Sequence, residues 1–361
     1  MIDTGGQDLE HLDYLRGYLA DFFARRADLK NTLNTLFITH PHLDHTRGIH
    51  TVTEVCRVKN FVDNGITQGS GGPQVRWIRD NALTLGVKIR GVNHDEIEAL
   101  PNKTGLTDAA IDDLQCPTCD PKIVVLSGGR RANPGWTAGE FQNWNNHSLI
   151  LRVDFGKSSF LFTGDLETPA IKTALGYYAD TKMLRANVYQ VGHHGSSNGT
   201  TRGLVEAIAP DIAVLGVGKW DFGMGLTGNS FTTYRYGHPR RDVIDLFSEL
   251  IPGARTSPLA AKVFEGSQNP IDYTVRKRIY ATGWDGDVRV SAKLDGSLSV
   301  LTRNEAPQLR LLEKSRPDKR WADEMMPPRD SVTPSWAEPP CIPITSQGWN
   351  CAPRRLLFRR R

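Results

Sequence analysis

Apolar residues recur at helical spacing across residues 7–27, with Leu9, Leu12, Leu15, Leu19, Phe22 and Phe23 forming one stripe. That pattern predicts an amphipathic helix. Residues 33–39 (LNTLFIT) form a short apolar run that predicts a buried strand ending directly at His40. Helical patterning returns over 74–85, and 87–90 is strand-like. The run 123–126 (IVVL) predicts a further buried strand, and 148–155 with 158–163 flank Gly156-Lys157 as the arms of a β-hairpin. Residues 204–209 and 212–217 read as helix then strand, and 242–250 as a helix. Strands are expected at 279–281, 288–294 and 298–301, separated by the Asp285-Gly286 and Asp295-Gly296 turns. Residues 91–122 lack a clear period and read as an inserted loop region. Met1 to Gly6 reads as a strand end running into a glycine turn. Strands interleaved with helices give an α/β (α+β) class.

Composition narrows the picture. With 361 residues, 39 % hydrophobic and 23 % charged, the chain is globular and long enough to bury a core. No stretch approaches the ~18–20 uncharged apolar residues of a spanning helix, and no signal peptide is visible. Five cysteines, odd in number and scattered, argue against a disulfide framework. These features lead to the expectation of a cytoplasmic protein. Residues 303–361 carry 12 Lys/Arg against 7 Asp/Glu, a surplus larger than the net charge of +4 for the whole chain. The basic character therefore belongs to a Pro/Arg-rich tail, expected to be disordered, and not to residues 1–302.

The chemistry-bearing segment is Thr39-His40-Pro41-His42-Leu43-Asp44-His45, three imidazoles and a carboxylate just past an apolar strand. Imidazole nitrogen and carboxylate oxygen are the donors that zinc and similar divalent ions prefer. In extended chain His40 and His42 point the same way, and a following turn can swing Asp44 and His45 toward a second ion. Three further segments complete a set: Phe162-Thr163-Gly164-Asp165 at a strand end, Val191-Gly192-His193-His194-Gly195-Ser196-Ser197, and Tyr236-Gly237-His238-Pro239.

His40–His45 resembles the signature of the metallo-β-lactamase superfamily of binuclear hydrolases. The order IDTGG, THPHLDH, NNHSLILR, FTGDLE, VGHHGSS and YGHP is similar to one branch, the metallohydrolase domain of ComEC/Rec2-type competence proteins and its free-standing relatives. The resemblance runs from Ile2 to about Val300. It implies a four-layered αββα sandwich over residues 1–302, with insertions near 91–122 and 219–235 and a tail at 303–361. That family has strands before the IDTGG segment, so either the start is misassigned or an edge of the sandwich is missing. The resemblance further implies two divalent ions, zinc or manganese. His40 and His42 would serve one, Asp44 and His45 the other, with Asp165 bridging and His193 or His194 completing the second site. His193 is assigned here to the metal; Asp44, His194 and His238 are assigned to catalysis. His147 is left out of the site.

On this basis the expected activity is a phosphodiesterase or nuclease acting on single-stranded DNA through a hydroxide shared by two metals. Ser196, Ser197, Lys219 and Arg235 are candidate phosphate contacts, and Trp220, Phe222 and Tyr234 candidate base-stacking rings. The alternatives are a small-molecule metallohydrolase of the β-lactamase or lactonase kind, and a catalytically inactive binding module. Cys116 and Cys119 form a single CxxC, read as two free thiols, since a structural zinc needs four ligands.

Overall fold

A computed structural model describes residues 1–6, 9–116, 120–228, 230–303 and 355–358. The first layer is helical: α1 (Leu9–Arg25), α2 (Ile49–Val55) and α3 (Gly72–Asp80). They cover a parallel sheet of β1 (Thr32–Phe37), β2 (Arg57–Asp63) and β3 (Lys88–Gly91), in the order β1-β2-β3. A second, six-stranded sheet contains β4 (Lys122–Ser127), β5 (Ile150–Phe155), β6 (Ser158–Phe162), β7 (Val188–Gln190) and β8 (Ile212–Leu215). The chain then makes a long antiparallel hairpin, β9 (Ala254–Gly266) with β10 (Asn269–Lys277), and returns to the edge of the second sheet as β11 (Ile279–Ala281). Helices α4 (Thr168–Tyr177), α5 (Arg202–Ile208) and α6 (Arg241–Leu250) form the fourth layer.

Strand alternation accounts for the layering. On β1, Leu36 faces the α1–α3 side with Leu15, Ile49 and Ile78, while Phe37 faces the second sheet. On β6, Phe160 and Phe162 point into the space between the sheets, and Leu161 points to the α4–α6 side with Ile171 and Phe247. Each strand is thus buried on both faces, which is why its sequence reads as a continuous apolar run. The expected αββα sandwich is the fold observed. β12 (Val288–Ala292) and β13 (Leu298–Thr302) extend it, sending Val288, Val290 and Ala292 into the layer between the sheets.

Several elements go beyond the sequence pattern. β2 has a charged start (RVK) and an interior Asn60, which break its apolar period. In β9 and β10 only Ala261, Val263, Phe264 and Val275 are buried, so most positions stay polar and the hairpin leaves little pattern. The helix expected over 74–85 is divided at Asn81 into α3 and a short turn, Ala82–Leu85. Most of the expected tail lies outside the described residues, as does Cys119. Within it Arg355–Phe358 is a strand, β14, paired antiparallel with β12. No helix among the described residues is long and apolar enough to cross a membrane.

Candidate metal centre

The donors collect at the ends of the strands. β1 runs through buried Ile38 and Thr39 to His40, itself fully buried. After Pro41 the chain enters one helical turn, Leu43–Thr46, closed by the Thr46 amide (3.1 Å) and hydroxyl (3.0 Å) donating to the His42 carbonyl. That turn carries Asp44 and His45 around toward the second sheet. Asp165 arrives from the end of β6 through Gly164, whose φ of +54° leaves it in the left-handed region. A Cβ there would lie 2.8 Å from the Thr39 Cβ, so glycine lets the two strand ends approach. His194 comes from the turn after β7, where His193, His194 and Gly195 are all left-handed (φ +47°, +55° and +78°). Two consecutive non-glycine residues in that region store strain, of order 1–2 kcal/mol each.

Four of these groups converge. Donor atoms of Asp44, His45, Asp165 and His194 lie within 4.8 Å of one another. Asp165 Oδ2 is 3.1 Å from His45 Nε2 and 3.2 Å from His194 Nε2, and His194 Nε2 is 3.2 Å from Asp44 Oδ2. His40 Nε2 lies 3.9 Å from the same Asp165 oxygen and 3.1 Å from His42 Nδ1, so His40 and His42 stand beside the cluster. Of the adjacent pair, the structure brings His194 into this cluster. His193 instead packs its ring 5.7 Å from His238 and holds Nδ1 3.7 Å from Glu167.

The donor chemistry fits a divalent cation. His45 Nδ1 is 2.8 Å from Asp3 Oδ2, and His194 Nδ1 is 2.8 Å from the Gly216 carbonyl oxygen. Both oxygens can only accept, so each Nδ1 donates, and each ring turns its Nε2 toward the two carboxylates. Two imidazole nitrogens and two carboxylates facing one point are a donor set that suits a divalent cation, and an anchored Nδ1–H is the usual support of a metal-binding histidine. Burial, reinforced by the neighbouring His45, holds His40 well below the ordinary histidine range, in the neutral form that binds metal. Burial opposes charge on Asp165, yet His194 and His45 keep its carboxyl well below its usual value.

Asp3 escaped the sequence reading as a site residue. It accepts from the Thr39 amide (2.8 Å) and hydroxyl (2.9 Å) as well as from His45, so it ties the end of β1 to a donor. Its only signal was its place in the IDTGG segment. His147 is turned away from the cluster: its Nε2 donates to the Phe141 carbonyl (2.8 Å) and its Nδ1 accepts from the Arg130 amide (3.1 Å).

A cavity of about 230 Å³ opens over the cluster. Asp44, Asp165 and His194 form its polar side, and Phe222, Phe231 and Tyr236 its apolar side. His238 lines it too, with Nδ1 buried and without a hydrogen-bond partner among the described residues. Burial, with His194 and His193 nearby, pushes the His238 pKa down to about 3, so this ring is neutral near pH 7. Asn145 also lines the cavity and donates to Glu167 (2.8 Å). Of the expected phosphate contacts, Ser197 is engaged by Asp242 (2.7 Å) and Arg235 by the Leu226 carbonyl (3.3 Å).

The sequence profile of the metallo-beta-lactamase superfamily matches residues 1–219, which include every donor of the cluster. The chain belongs to this superfamily. Within the superfamily, it is similar to the ComEC/Rec2-type competence proteins. ComE operon protein 3 of Bacillus subtilis is 26 % identical over 256 residues, 68 % of this chain and 27 % of that protein. Recombination protein 2 of Haemophilus influenzae is 39 % identical over 77 residues, 21 % of this chain and 9 % of that one. Competence protein ComA of Neisseria gonorrhoeae is 35 % identical over 74 residues, 20 % and 10 % respectively. The chain thus spans about a quarter or less of the length of these relatives. Superfamily membership and the donor cluster together indicate a metal-dependent hydrolase that uses divalent ions.

Proposed function

We propose that this metallo-β-lactamase-fold protein is a binuclear phosphodiesterase that cleaves single-stranded DNA, with residues 1–302 as its hydrolase unit. The observation that carries the binuclear reading is Asp165. One of its oxygens has His45 and His194 at 3.1–3.2 Å and His40 at 3.9 Å, so it lies within reach of donors from both expected sets. His40, His42 and Asp165 would hold one ion, and Asp44, His45, His194 and Asp165 the other. Such ions supply Lewis acidity that activates water near neutral pH and neutralises charge on a phosphoryl group.

The protein's own groups do the rest. Asp3 and the Gly216 carbonyl lock the tautomers of His45 and His194. The neutral His238 ring lines the cavity, where it offers a hydrogen bond to a phosphate oxygen. His193, beside Glu167 and outside the donor cluster, takes the role of proton donor to the leaving oxygen. His194 is then a metal ligand and not the acid. The choice of DNA is supported by the relatives, whose names concern competence and recombination.

The test is cleavage of end-labelled single-stranded DNA by metal-reconstituted protein, with Asp44→Ala and a chelator as controls. Loss of cleavage in both controls is expected, together with a steep fall in turnover as salt rises. Protein that holds two metals and hydrolyses a lactam or lactone, but no DNA, would replace this reading with the small-molecule one. Metal-loaded protein that hydrolyses no ester at all would leave a binding module.

A further inference from the structure

The rings most exposed beside the metal centre are not those that the sequence singled out. Trp220 is covered by Lys262, whose Nζ stands 5.5 Å from its ring centroid. Phe222 meets the His11 ring edge-on at 5.4 Å, and Tyr234 meets Phe264 edge-on at 6.4 Å. These three are occupied in packing. Three other rings run nearly parallel. Phe231 and Tyr236 are 14° apart with centroids 6.3 Å distant, and Tyr236 and His238 are 20° apart at 6.4 Å. All three line the same cavity as Asp44, Asp165 and His194.

From this parallel set beside the donor cluster, we infer that Tyr236, flanked by Phe231 and His238, is a stacking platform for a nucleobase next to the phosphate being cleaved. This inference rests on the proposed phosphodiesterase reading and names its substrate class, an unpaired nucleic-acid strand. Tyr236 is 43 % exposed and lines the cavity that Asp44, Asp165 and His194 also line. A base could extend such a near-parallel set of rings by stacking on it in the same orientation. A base has two π faces whatever its identity, so such a platform recognises single strands without reading their sequence. A paired base is already stacked in its duplex and would have to leave it to reach Tyr236.

The backbone anchors the platform while Tyr236 stays part-exposed. The Thr232 side chain accepts from the Arg235 amide (3.0 Å), fixing the short helix Thr233–Tyr236. The His238 amide donates to the Thr233 carbonyl (3.1 Å), which folds His238 back beneath Tyr236. Gly237 follows at φ +65°, and a Cβ there would lie 2.5 Å from the Gly266 carbonyl oxygen, so this tight reversal requires glycine. Backbone turns thus help to set Tyr236 and His238 beside each other.

The experiment measures binding of two fluorescein-labelled oligomers of equal length, oligothymidylate and a wholly abasic strand, by anisotropy. Wild type, Tyr236→Ala and Tyr236→Phe are compared at fixed salt. Wild type should prefer thymidylate by about tenfold, within the range that one base–aromatic stack supplies. Tyr236→Ala should lose most of that preference and bind the abasic strand as wild type does, while Tyr236→Phe keeps it. Equal binding of both strands by wild type overturns the inference, and so does an undiminished preference in Tyr236→Ala. Equal weakening of Tyr236→Ala on both strands also overturns it, because the ring would then serve only the fold. Wild type that cleaves DNA yet ignores the base loses only the platform. Wild type that prefers the base yet cleaves nothing keeps the platform and loses the nuclease reading.

Discussion

The donors at the strand ends are tied down several times over, whereas the aromatic wall facing them hangs on a few loop contacts. His40 and His45 are 0 % and 1 % exposed, and His45 is held at Nδ1 by Asp3, which also grips Thr39. On the loop that brings Phe222 and Phe231 to the cavity, Met224 and Leu226 are 53 % and 49 % exposed, and Tyr236 beyond it is 43 % exposed. Gly223, Gly225 and Gly228 turn this loop at positive φ. Metal chemistry tolerates little error in donor position, so its groups sit on the ends of buried strands with their rotamers fixed by partners. Recognition of a substrate tolerates more, and a loop can change its rings without disturbing the donors.

If that division is right, changes on the donor side should remove metal and activity together. Asp165→Ala takes away the carboxylate within reach of both expected donor sets. It should lower kcat/KM by well over about 100-fold, beyond the 10–100-fold that changes behind the ligands produce. Metal content by atomic absorption should fall in parallel. Full metal occupancy with normal turnover would break the comparison at its strongest point.

Asp3→Asn tests the layer behind the donors. It keeps the shape but weakens the hydrogen bond that orients His45, so metal affinity should drop by about 10–100-fold. Titration with zinc and a competing chelator reads that shift directly, and saturating metal should restore much of the turnover. The smallest effect is expected on the wall. Met224→Ala and Leu226→Ala replace exposed side chains, and thermal unfolding should move by no more than the equivalent of about 0.5 kcal/mol, with metal content unchanged. A loss of metal in these variants would mean that wall and centre are one unit.

The same contrast explains what could be read in advance. β1, β5 and β6 were legible because a buried strand needs consecutive apolar residues, and α1 and α6 because their apolar stripes have the helical period. The HxHxDH segment was legible because its donors are neighbours in the chain. The β9–β10 hairpin was not, since only a few of its residues are buried and the rest stay polar. The strand at Arg355–Phe358 was not either. Its partner β12 lies across a long Pro/Arg-rich stretch, and composition says nothing about such a pairing.

The sequence alone determined the α/β class and the donor types, because each is written in local spacing, and its motifs carried the resemblance to the superfamily. Tertiary structure decided which donors meet. Asp165 reaches His45 across 120 positions and His194 reaches Asp44 across 150, distances over which no local pattern operates. It also separated His193 from His194. The two are adjacent and chemically identical, and only the left-handed turn they occupy sends one ring to the donor cluster and the other toward His238 and Glu167.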